Sequence, residues 1–126
     1  MRGPRRLLAD SRLGVLATLR ADGRPQLSPV LPFFDERAGV VLISTREGLA
    51  KTANLRRDAR AALEVTGADG RSWATAEGTV ALVGPGADAH SPEVAALVDY
   101  YRAAMVRDRR VLLTLTVDHV YGQQIG

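Results

Sequence analysis

The stretch "GVLATLRADGRPQLSPV" (residues 14–30) decides the fold, because it predicts two antiparallel strands joined by a tight turn. Within residues 14–20 the side chains alternate in character, as in a strand whose two faces have different surroundings. Asp22-Gly23 then stands between two alternating runs, and this dipeptide is a strong hairpin signal. The sheet is therefore expected to begin with a β-hairpin.

The return strand, "PQLSPVLPFF" (residues 25–34), is unusually rich in proline, with Pro25, Pro29 and Pro32. Proline has no backbone N–H to donate to a neighbouring strand. We therefore expect this strand to lie at an edge of the sheet or to be bulged in places.

The remaining chain alternates further strands with short helices. Strands are predicted at "VVLIS" (40–44), "RAALEVT" (60–66), "RSWATAEGTVALV" (71–83) and "RVLLTLTVDHVYG" (110–122), the last with a bend near Asp118. Helices are predicted at "RRLLADSRL" (5–13), within residues 44–58, and after the N-cap Ser91-Pro92-Glu93, with the apolar face Val94, Leu97, Val98 and Tyr101. About six strands, largely connected by hairpins, favour a mainly β, six-stranded antiparallel closed or split barrel over a ferredoxin-like sandwich.

Length and composition limit the possible classes of protein. Residues 1–126 are expected to form a single domain. The absence of cysteine excludes disulfides, thiolate metal sites and a cysteine nucleophile. No stretch is apolar enough to span a membrane, and the N-terminus lacks the pattern of a secretion signal, so a cytoplasmic protein is expected.

The formal net charge of +3 comes from sixteen arginines and one lysine against fourteen acidic residues. Aromatic residues make up 5% of the chain and are not interleaved with the arginines, which disfavours a stacking platform for nucleic acid. The charge favours a small anionic ligand, with an ordinary solvated surface as the alternative.

The single lysine lies in "STREGLAKTANLRRD" (residues 44–58). The predicted helix begins either with a Ser44–Glu47 capping box or at Gly48. In both cases a strand, two hydroxyls and a helix N-terminus follow one another, with Lys51 one to two turns into the helix. Ser44, Thr45 and Lys51 are therefore candidates for binding a phosphate, although a lysine on an exposed helix face is usually a solvated surface residue.

Four segments together resemble one family along nearly the whole chain: "GVLATLRADGRPQLSPV", "AKTANLRRDARAAL", "WATAEGTVAL" and "RVLLTLTVDHVYG". They are similar to the split-barrel flavin and deazaflavin oxidoreductases related to pyridoxamine 5′-phosphate oxidase, and more closely to the actinobacterial branch that uses coenzyme F420. The resemblance implies a homodimer of six-stranded split barrels, with a cofactor in each of two clefts at the subunit interface.

The resemblance also implies which residues bind the cofactor phosphate. In the family the lysine of the "AKT" segment and the hydroxyls of the preceding strand have this role, here Lys51, Thr52, Ser44 and Thr45. Asn54, on the same helix, is either a cofactor-site residue that steadies the loop or a polar surface residue. Some relatives have an arginine where this chain has Leu49, and Arg46 is the available substitute.

The resemblance implies that the ring system of the cofactor lies beside the proline-rich strand, with Pro29 and Val30 flanking it. Trp73 lies on the strand where the family places aromatic residues that reach the cleft from the partner subunit. A lone tryptophan is also typical of a core or an interface. The segment before residue 107 is short for the branch, so the cleft is expected to be open.

The predicted function is that of an F420-dependent oxidoreductase acting on a small conjugated or electron-poor substrate. The alternatives are an FMN-dependent oxidase or reductase and a non-catalytic carrier of F420 or another anionic cofactor. Three arginines could meet the acidic tail of F420, although a cluster at a helix end is usually just solvated: Arg56, Arg57 and Arg60. No catalytic residue is assigned: His90 and His119 are typical of turns or surfaces, no metal site is expected, and the proton donor is Tyr121, a bound water or solvent. Nucleic acid and membranes are not expected as partners.

Overall fold

The computed structural model describes residues 3–46, 48–83 and 109–123, together with residues 99 and 107. Its helices are α1 (Pro4–Asp10) and α2 (Ala50–Arg57), and its strands are β1 (Gly14–Leu19), β2 (Pro25–Val30), β3 (Pro32–Asp35), β4 (Val40–Arg46), β5 (Arg60–Thr66), β6 (Trp73–Val83) and β7 (Arg110–Gln123). The predicted helix after Ser91-Pro92-Glu93, with its apolar face, lies outside the described residues. No helix in the described part is long and apolar enough to cross a bilayer.

All seven strands form one antiparallel sheet in the order β2-β1-β5-β6-β7-β4-β3. The two edge strands, β2 and β3, are separated in the chain by Leu31 alone. Since one residue advances a chain by less than about 4 Å, the sheet must curl until its two edges come together. The result is the predicted split β-barrel.

The barrel has seven strands, so the prediction of six was wrong. The segment that we read as one return strand divides at Leu31, and its two halves lie at opposite edges of the sheet. Pro29 in β2 and Pro32 in β3 have no backbone N–H to donate to a neighbouring strand. An edge strand tolerates this because only one of its sides is paired. The prediction that this proline-rich segment lies at an edge is thereby confirmed, for both halves.

Alternate residues of the strands point into the barrel and form its core. The largest fully buried side chains include Leu16, Leu63, Val65, Leu113 and Leu115. The two helices add to this core, because α1 packs Leu8 against β6 and β7 and α2 packs Leu55 against β1 and β6. Burying such side chains is the main stabilising contribution to a domain of this size.

The predicted bend near Asp118 is a β-bulge. Glu77 pairs with His119 whereas Gly78 pairs with Val117, which leaves Asp118 without a partner residue in the ladder. A Cβ atom on Gly78 would collide with the carbonyl oxygen of Thr116, so the two backbones approach as closely as they do because residue 78 is glycine.

Candidate functional site

The end of β4 and the start of α2 form the region that the sequence singled out. Ser44 belongs to β4, and α2 begins at Ala50 with Leu49 as N-cap and no side-chain cap. The Ser44–Glu47 capping box is therefore wrong, because Ser44 is still in the strand. The alternative start at Gly48 is closer, since this glycine has φ +81° and makes the turn into the helix.

Thr52 fixes the start of α2 against the end of β4. Its hydroxyl donates to the carbonyl oxygen of Arg46 at 2.9 Å, and the side chain is 1% exposed. The hydrogen of this hydroxyl is therefore used within the protein. Thr52 therefore positions its neighbour Lys51, which is the second residue of α2 and not one to two turns inside it.

Lys51 is half-buried, and this burial lowers the pKa of its ammonium from the ordinary value of 10.5. Burial disfavours the charged form, and a bound anion would favour it again. Within the described residues no carboxylate is recorded as an ion-pair partner of Lys51.

The two hydroxyls of β4 point to opposite faces of the sheet. Thr45 is 4% exposed and lies opposite Val111, on the side of the barrel core. Ser44 is half-buried on the outer face and accepts a hydrogen bond from Nη1 of Arg110 at 3.3 Å. Only Ser44 therefore contributes its hydroxyl to the outer surface.

A cavity of about 320 Å³ opens beside Ser44, and we call it the Ser44 cavity. It is lined by Arg12, Leu31, Pro32, Phe33, Leu42, Ser44 and Leu112. Most of the lining is apolar, which suits a flat ring, and Ser44 and Arg12 supply the polar groups. Ligand sites usually measure about 300–1,000 Å³, so one chain offers a small site or one part of a larger one.

The strand expected beside the cofactor ring reaches the Ser44 cavity through residues that we did not predict. Pro29 is exposed on β2, and Val30 is 6% exposed and belongs to the barrel core. The next two residues, Leu31 and Pro32, are the ones that line the cavity. Their position follows from the crossing between the sheet edges, which the single-strand interpretation did not contain.

Asn54 is buried, with 7% of its surface exposed, so it is not a polar surface residue. Its side-chain amide donates to Thr18 Oγ1 at 3.2 Å and to Gln26 Oε1 at 2.7 Å. Its oxygen accepts from Nη2 of Arg57 at 3.2 Å. Both amide hydrogens are therefore used to attach α2 to the β1–β2 hairpin, which supports the interpretation that Asn54 steadies this region.

Trp73 lies far from Ser44 within one chain. Trp73 pairs with Gln123 at one end of β7, and Ser44 pairs with Leu112 near the other end. At about 3.3 Å per residue, that length of strand spans roughly 35 Å. Trp73 is half-buried and packs edge-to-face on Tyr121, with ring centroids 5.9 Å apart.

A larger groove of about 560 Å³ lies elsewhere on the outer face of the sheet. Of the residues that the sequence suggested for cofactor binding, it contains only Arg60, a candidate for the acidic tail. Its lining includes small residues, among them Ala17, Ala62 and Gly78. Polar side chains, Glu77 and His119 among them, also line it. In the described part of the chain no cluster of three His, Asp or Glu side chains could hold a metal ion.

Sequence reasoning missed Arg12 and Arg110 near the Ser44 cavity. Arg110 reaches Ser44 because β4 and β7 pair, although the two residues are far apart in the chain. The available signal was an arginine at the start of the last predicted strand. That arginine could be placed beside Ser44 only if the pairing of β4 with β7 were known.

Comparisons with known proteins agree with this architecture. The chain is 30% identical over 115 residues to the F420H(2)-dependent biliverdin reductase of Mycobacterium tuberculosis (strain CDC 1551 / Oshkosh), covering 91% of this chain and 82% of that protein. A solved F420 reductase has a TM-score of 0.72 at 21% identity and covers 96% of this chain and 98% of its own. A FAD-binding protein from Mesorhizobium loti has a TM-score of 0.68 at 16% identity, with 98% and 93% covered.

The two structural likenesses show the fold, and the family follows from the sequence. The family model described as Pyridoxamine 5′-phosphate oxidase matches residues 5–124, which is almost the whole chain. The curled antiparallel sheet of the structure agrees with this match. The chain therefore belongs to the pyridoxamine 5′-phosphate oxidase family.

Proposed function

We propose that the protein is a cytoplasmic F420-dependent oxidoreductase that reduces a small conjugated or electron-poor organic substrate. The observation that carries the proposal is the 30% identity, over 91% of the chain, to a protein named as an F420H(2)-dependent reductase. The membership of a flavin-type family and the apolar Ser44 cavity support it. When bound, reduced F420 supplies the hydride.

The residues of the site fit a cofactor that has a planar ring and an anionic arm. Leu31 and Pro32 offer an apolar surface for the ring, and Pro29 and Val30 precede them on the same segment. Lys51 provides a partly buried cation without a recorded counter-charge in the described residues, and Ser44 provides a hydroxyl. A point charge and a hydroxyl at a helix start are suited to a phosphate.

Three of the predicted residues support the site without facing the cofactor: Thr45, Thr52 and Asn54. Thr52 and Asn54 attach α2 to β4 and to the β1–β2 hairpin, and Thr45 is packed on the core side of β4. These contacts hold the backbone that carries Lys51. Ser44 and Lys51 therefore face the cofactor, and the other three residues position them.

The proposed active form is a homodimer with a cofactor cleft at the interface. Large apolar side chains are exposed in the single chain, notably Leu27 at 65% and Leu31 at 74%. The distance between Trp73 and Ser44 along β7 supports a cleft in which Trp73 comes from the partner subunit. Tyr121 packs on Trp73 and would accompany it, which makes its phenol a candidate proton donor.

The described lining of the Ser44 cavity contains no carboxylate, imidazole or phenol. The chain's own contribution to the reaction is therefore binding, orientation and exclusion of water, with the proton supplied by the partner's strand or by solvent. The same observation favours the second candidate, a non-catalytic carrier of F420 or another anionic cofactor. FMN-dependent activity is the remaining alternative within the family.

Fluorescence titration with F420 and with FMN distinguishes the two cofactors. Turnover of reduced F420 with biliverdin and a panel of unsaturated acceptors then distinguishes an enzyme from a carrier. We expect tight binding of F420 and acceptor-dependent oxidation of its reduced form. Tight binding without turnover on any acceptor would support the non-catalytic carrier. Binding of FMN but not of F420 would support the FMN-dependent alternative.

A further inference from the structure

Arg12 is the only charged side chain in the described lining of the Ser44 cavity. It lies in the short connection between α1 and β1, two residues before β1 begins. The first residue of β1 pairs with the last residue of β2, and Leu31 follows directly. The crossing between the sheet edges therefore brings Leu31 and Arg12 to the same cavity. The other polar group there, the hydroxyl of Ser44, already accepts a hydrogen bond from Arg110.

The guanidinium of Arg12 is held in place by the C-terminal end of α1. Its Nη1 donates to the carbonyl oxygen of Ala9 at 3.0 Å and to that of Ser11 at 3.3 Å. The last carbonyls of a helix have no partner within the helix, and a cation stabilises them. These contacts use a single nitrogen. Nε and Nη2, which form one side of the planar fork, have no recorded partner among the described residues.

No carboxylate in the described part of the chain is paired with Arg12. The acidic residue that is nearest in sequence, Asp10, pairs with Arg6 at 3.4 Å, and the other recorded ion pairs do not include Arg12. Arg12 also lines a second cavity of about 380 Å³, but Asp10 lines that cavity too. The described lining of the Ser44 cavity has no acidic group, so an anion is favoured on the Ser44 side of Arg12.

We propose that Arg12 binds a carboxylate of the substrate through the free side of its fork. This inference rests on the proposed function and deepens it, because it names the substrate class as flat conjugated acids. The fork of an arginine matches a carboxylate through two parallel hydrogen bonds, which fix direction as well as position. Leu31 and Pro32, the apolar surface for the cofactor ring, lie in the same cavity. Arg12 therefore orients the substrate towards that ring and determines specificity without contacting the reacting atoms.

The test uses 2-naphthoate and 2-naphthamide, two flat aromatic molecules of similar shape that differ in charge. Each is titrated into the F420-saturated full chain by isothermal titration calorimetry. The wild type should bind the acid about tenfold more tightly than the amide, the scale of one charge-assisted hydrogen bond. Arg12→Gln should bind the two equally. Arg12→Lys keeps the charge without the fork and should show an intermediate preference.

A matched control and a kinetic measurement separate this role from a general effect of charge. Arg20→Gln makes the same charge change at an exposed site on the β1–β2 turn and should behave as the wild type. In turnover of reduced F420, acceptors are compared as acid and amide. Arg12→Gln should raise KM for the acid about tenfold and leave kcat and the amide unaffected, because the contact is made equally before and during the reaction.

Three results would overturn the inference while the proposed function stands. Equal affinity of the wild type for 2-naphthoate and 2-naphthamide would show that no carboxylate is recognised. A preference for the acid that persists in Arg12→Gln would assign the recognition to another residue. A tenfold loss of F420 affinity in Arg12→Gln would place Arg12 against the cofactor. Circular dichroism of each variant checks that the fold is retained.

If the wild type binds no F420, the proposed function fails, and the same titrations on the chain without cofactor test Arg12 by itself. 2-Naphthoate should then still bind more tightly than 2-naphthamide to the wild type and to Arg20→Gln, and equally tightly to Arg12→Gln. The same affinity of the wild type for both molecules would show that Arg12 recognises no carboxylate.

Discussion

Nδ2 of Asn54 donates to Oε1 of Gln26 at 2.7 Å and so joins α2 to the second strand of the opening hairpin. The contact is reinforced by Arg57, which donates from Nη2 to the carbonyl oxygen of Leu19 at 2.6 Å and to Asn54. The helix that carries Lys51 is thus attached to β1 and β2 by side chains. The orientation of its first turn depends on polar groups as well as on the burial of Leu55.

Asn54→Ala should reduce the free energy of unfolding by about 1–3 kcal/mol, because it leaves the buried hydroxyl of Thr18 and the amide of Gln26 without their partner. Urea denaturation measures the change. Gln26→Ala removes one contact at a half-buried position and should cost less. The two substitutions should be non-additive by about 0.5–3 kcal/mol in a double-mutant cycle, and additive effects would contradict the direct bond.

Lys51→Ala should weaken cofactor binding by roughly 1.5–3 kcal/mol, about ten- to a hundred-fold in the dissociation constant. Stability without ligand should change little. Lys51→Arg should also bind less well, since a planar fork does not replace a point charge. Isothermal titration calorimetry checks both, with Arg20→Ala as the control at an exposed position. If Lys51→Ala binds the cofactor as tightly as the wild type, Lys51 does not contribute to the site.

The affinity for the cofactor should also fall in alkaline solution, because Lys51 loses its positive charge there. Burial lowers the pKa of its ammonium below 10.5, so the cation is lost at a lower pH than in a free lysine. Anion binding requires the charged form, and the affinity should therefore decline as pH rises towards that lowered pKa. Lys51→Ala should show no such decline, and an identical profile in both proteins would contradict this role.

Asp69 should make the fold sensitive to acid. Its carboxylate accepts hydrogen bonds from the backbone of Ser72 and Arg71 and from the hydroxyl of Ser72, and these lower its pKa from 3.8 to about 2. The unfolded chain takes up the proton first, so the stabilisation is complete above 3.8 and is lost as pH falls towards 2. Thermal unfolding across this range should show a smaller acid loss in Asp69→Asn. Parallel curves for the two proteins would contradict the prediction.

Leu27→Glu should dissociate the proposed homodimer. Leu27 is 65% exposed and lies opposite Ala17, which in turn lies opposite Ala62, so an apolar row runs over β2, β1 and β5 on the outer face of the sheet. A charge in such a row is costly to bury against a second copy. Light scattering at micromolar concentration should give a dimer for the wild type and for the control Ala38→Glu, and a monomer for Leu27→Glu. A monomeric wild type would remove the shared cleft.

Local patterns were sufficient to predict most of the fold. The alternation in residues 14–20 with Asp22-Gly23 predicted the hairpin, and the prolines predicted edge strands. The division at Leu31 was not predictable, because whether ten residues form one strand or two depends on partners that pair from elsewhere in the chain. One of these partners is β4, which pairs with β3 on one side and with β7 on the other.

The candidate site was predicted only where neighbouring residues in the chain are also neighbours in space. Lys51 and Thr52 lie next to the end of β4, as the segment itself indicated. Arg110 was missed because its contact with Ser44 depends on strand register. The buried state of Asn54 was missed for the same reason, since Thr18 and Gln26 come from a distant hairpin.

The single-residue crossing at Leu31 has a consequence for the rate at which the chain folds. The β1–β2 hairpin can form early, since its residues are close in the chain. The strand after the crossing, β3, gains its place only when β4 pairs with β7, and there Val40 meets Thr116 near the opposite end of the sequence. In such pairings the chain loses the entropy of closing a large loop before the strands make any stabilising contact. Folding should therefore take milliseconds to seconds, as in other domains rich in non-local strand pairs, with the meeting of the two sheet edges among the last events.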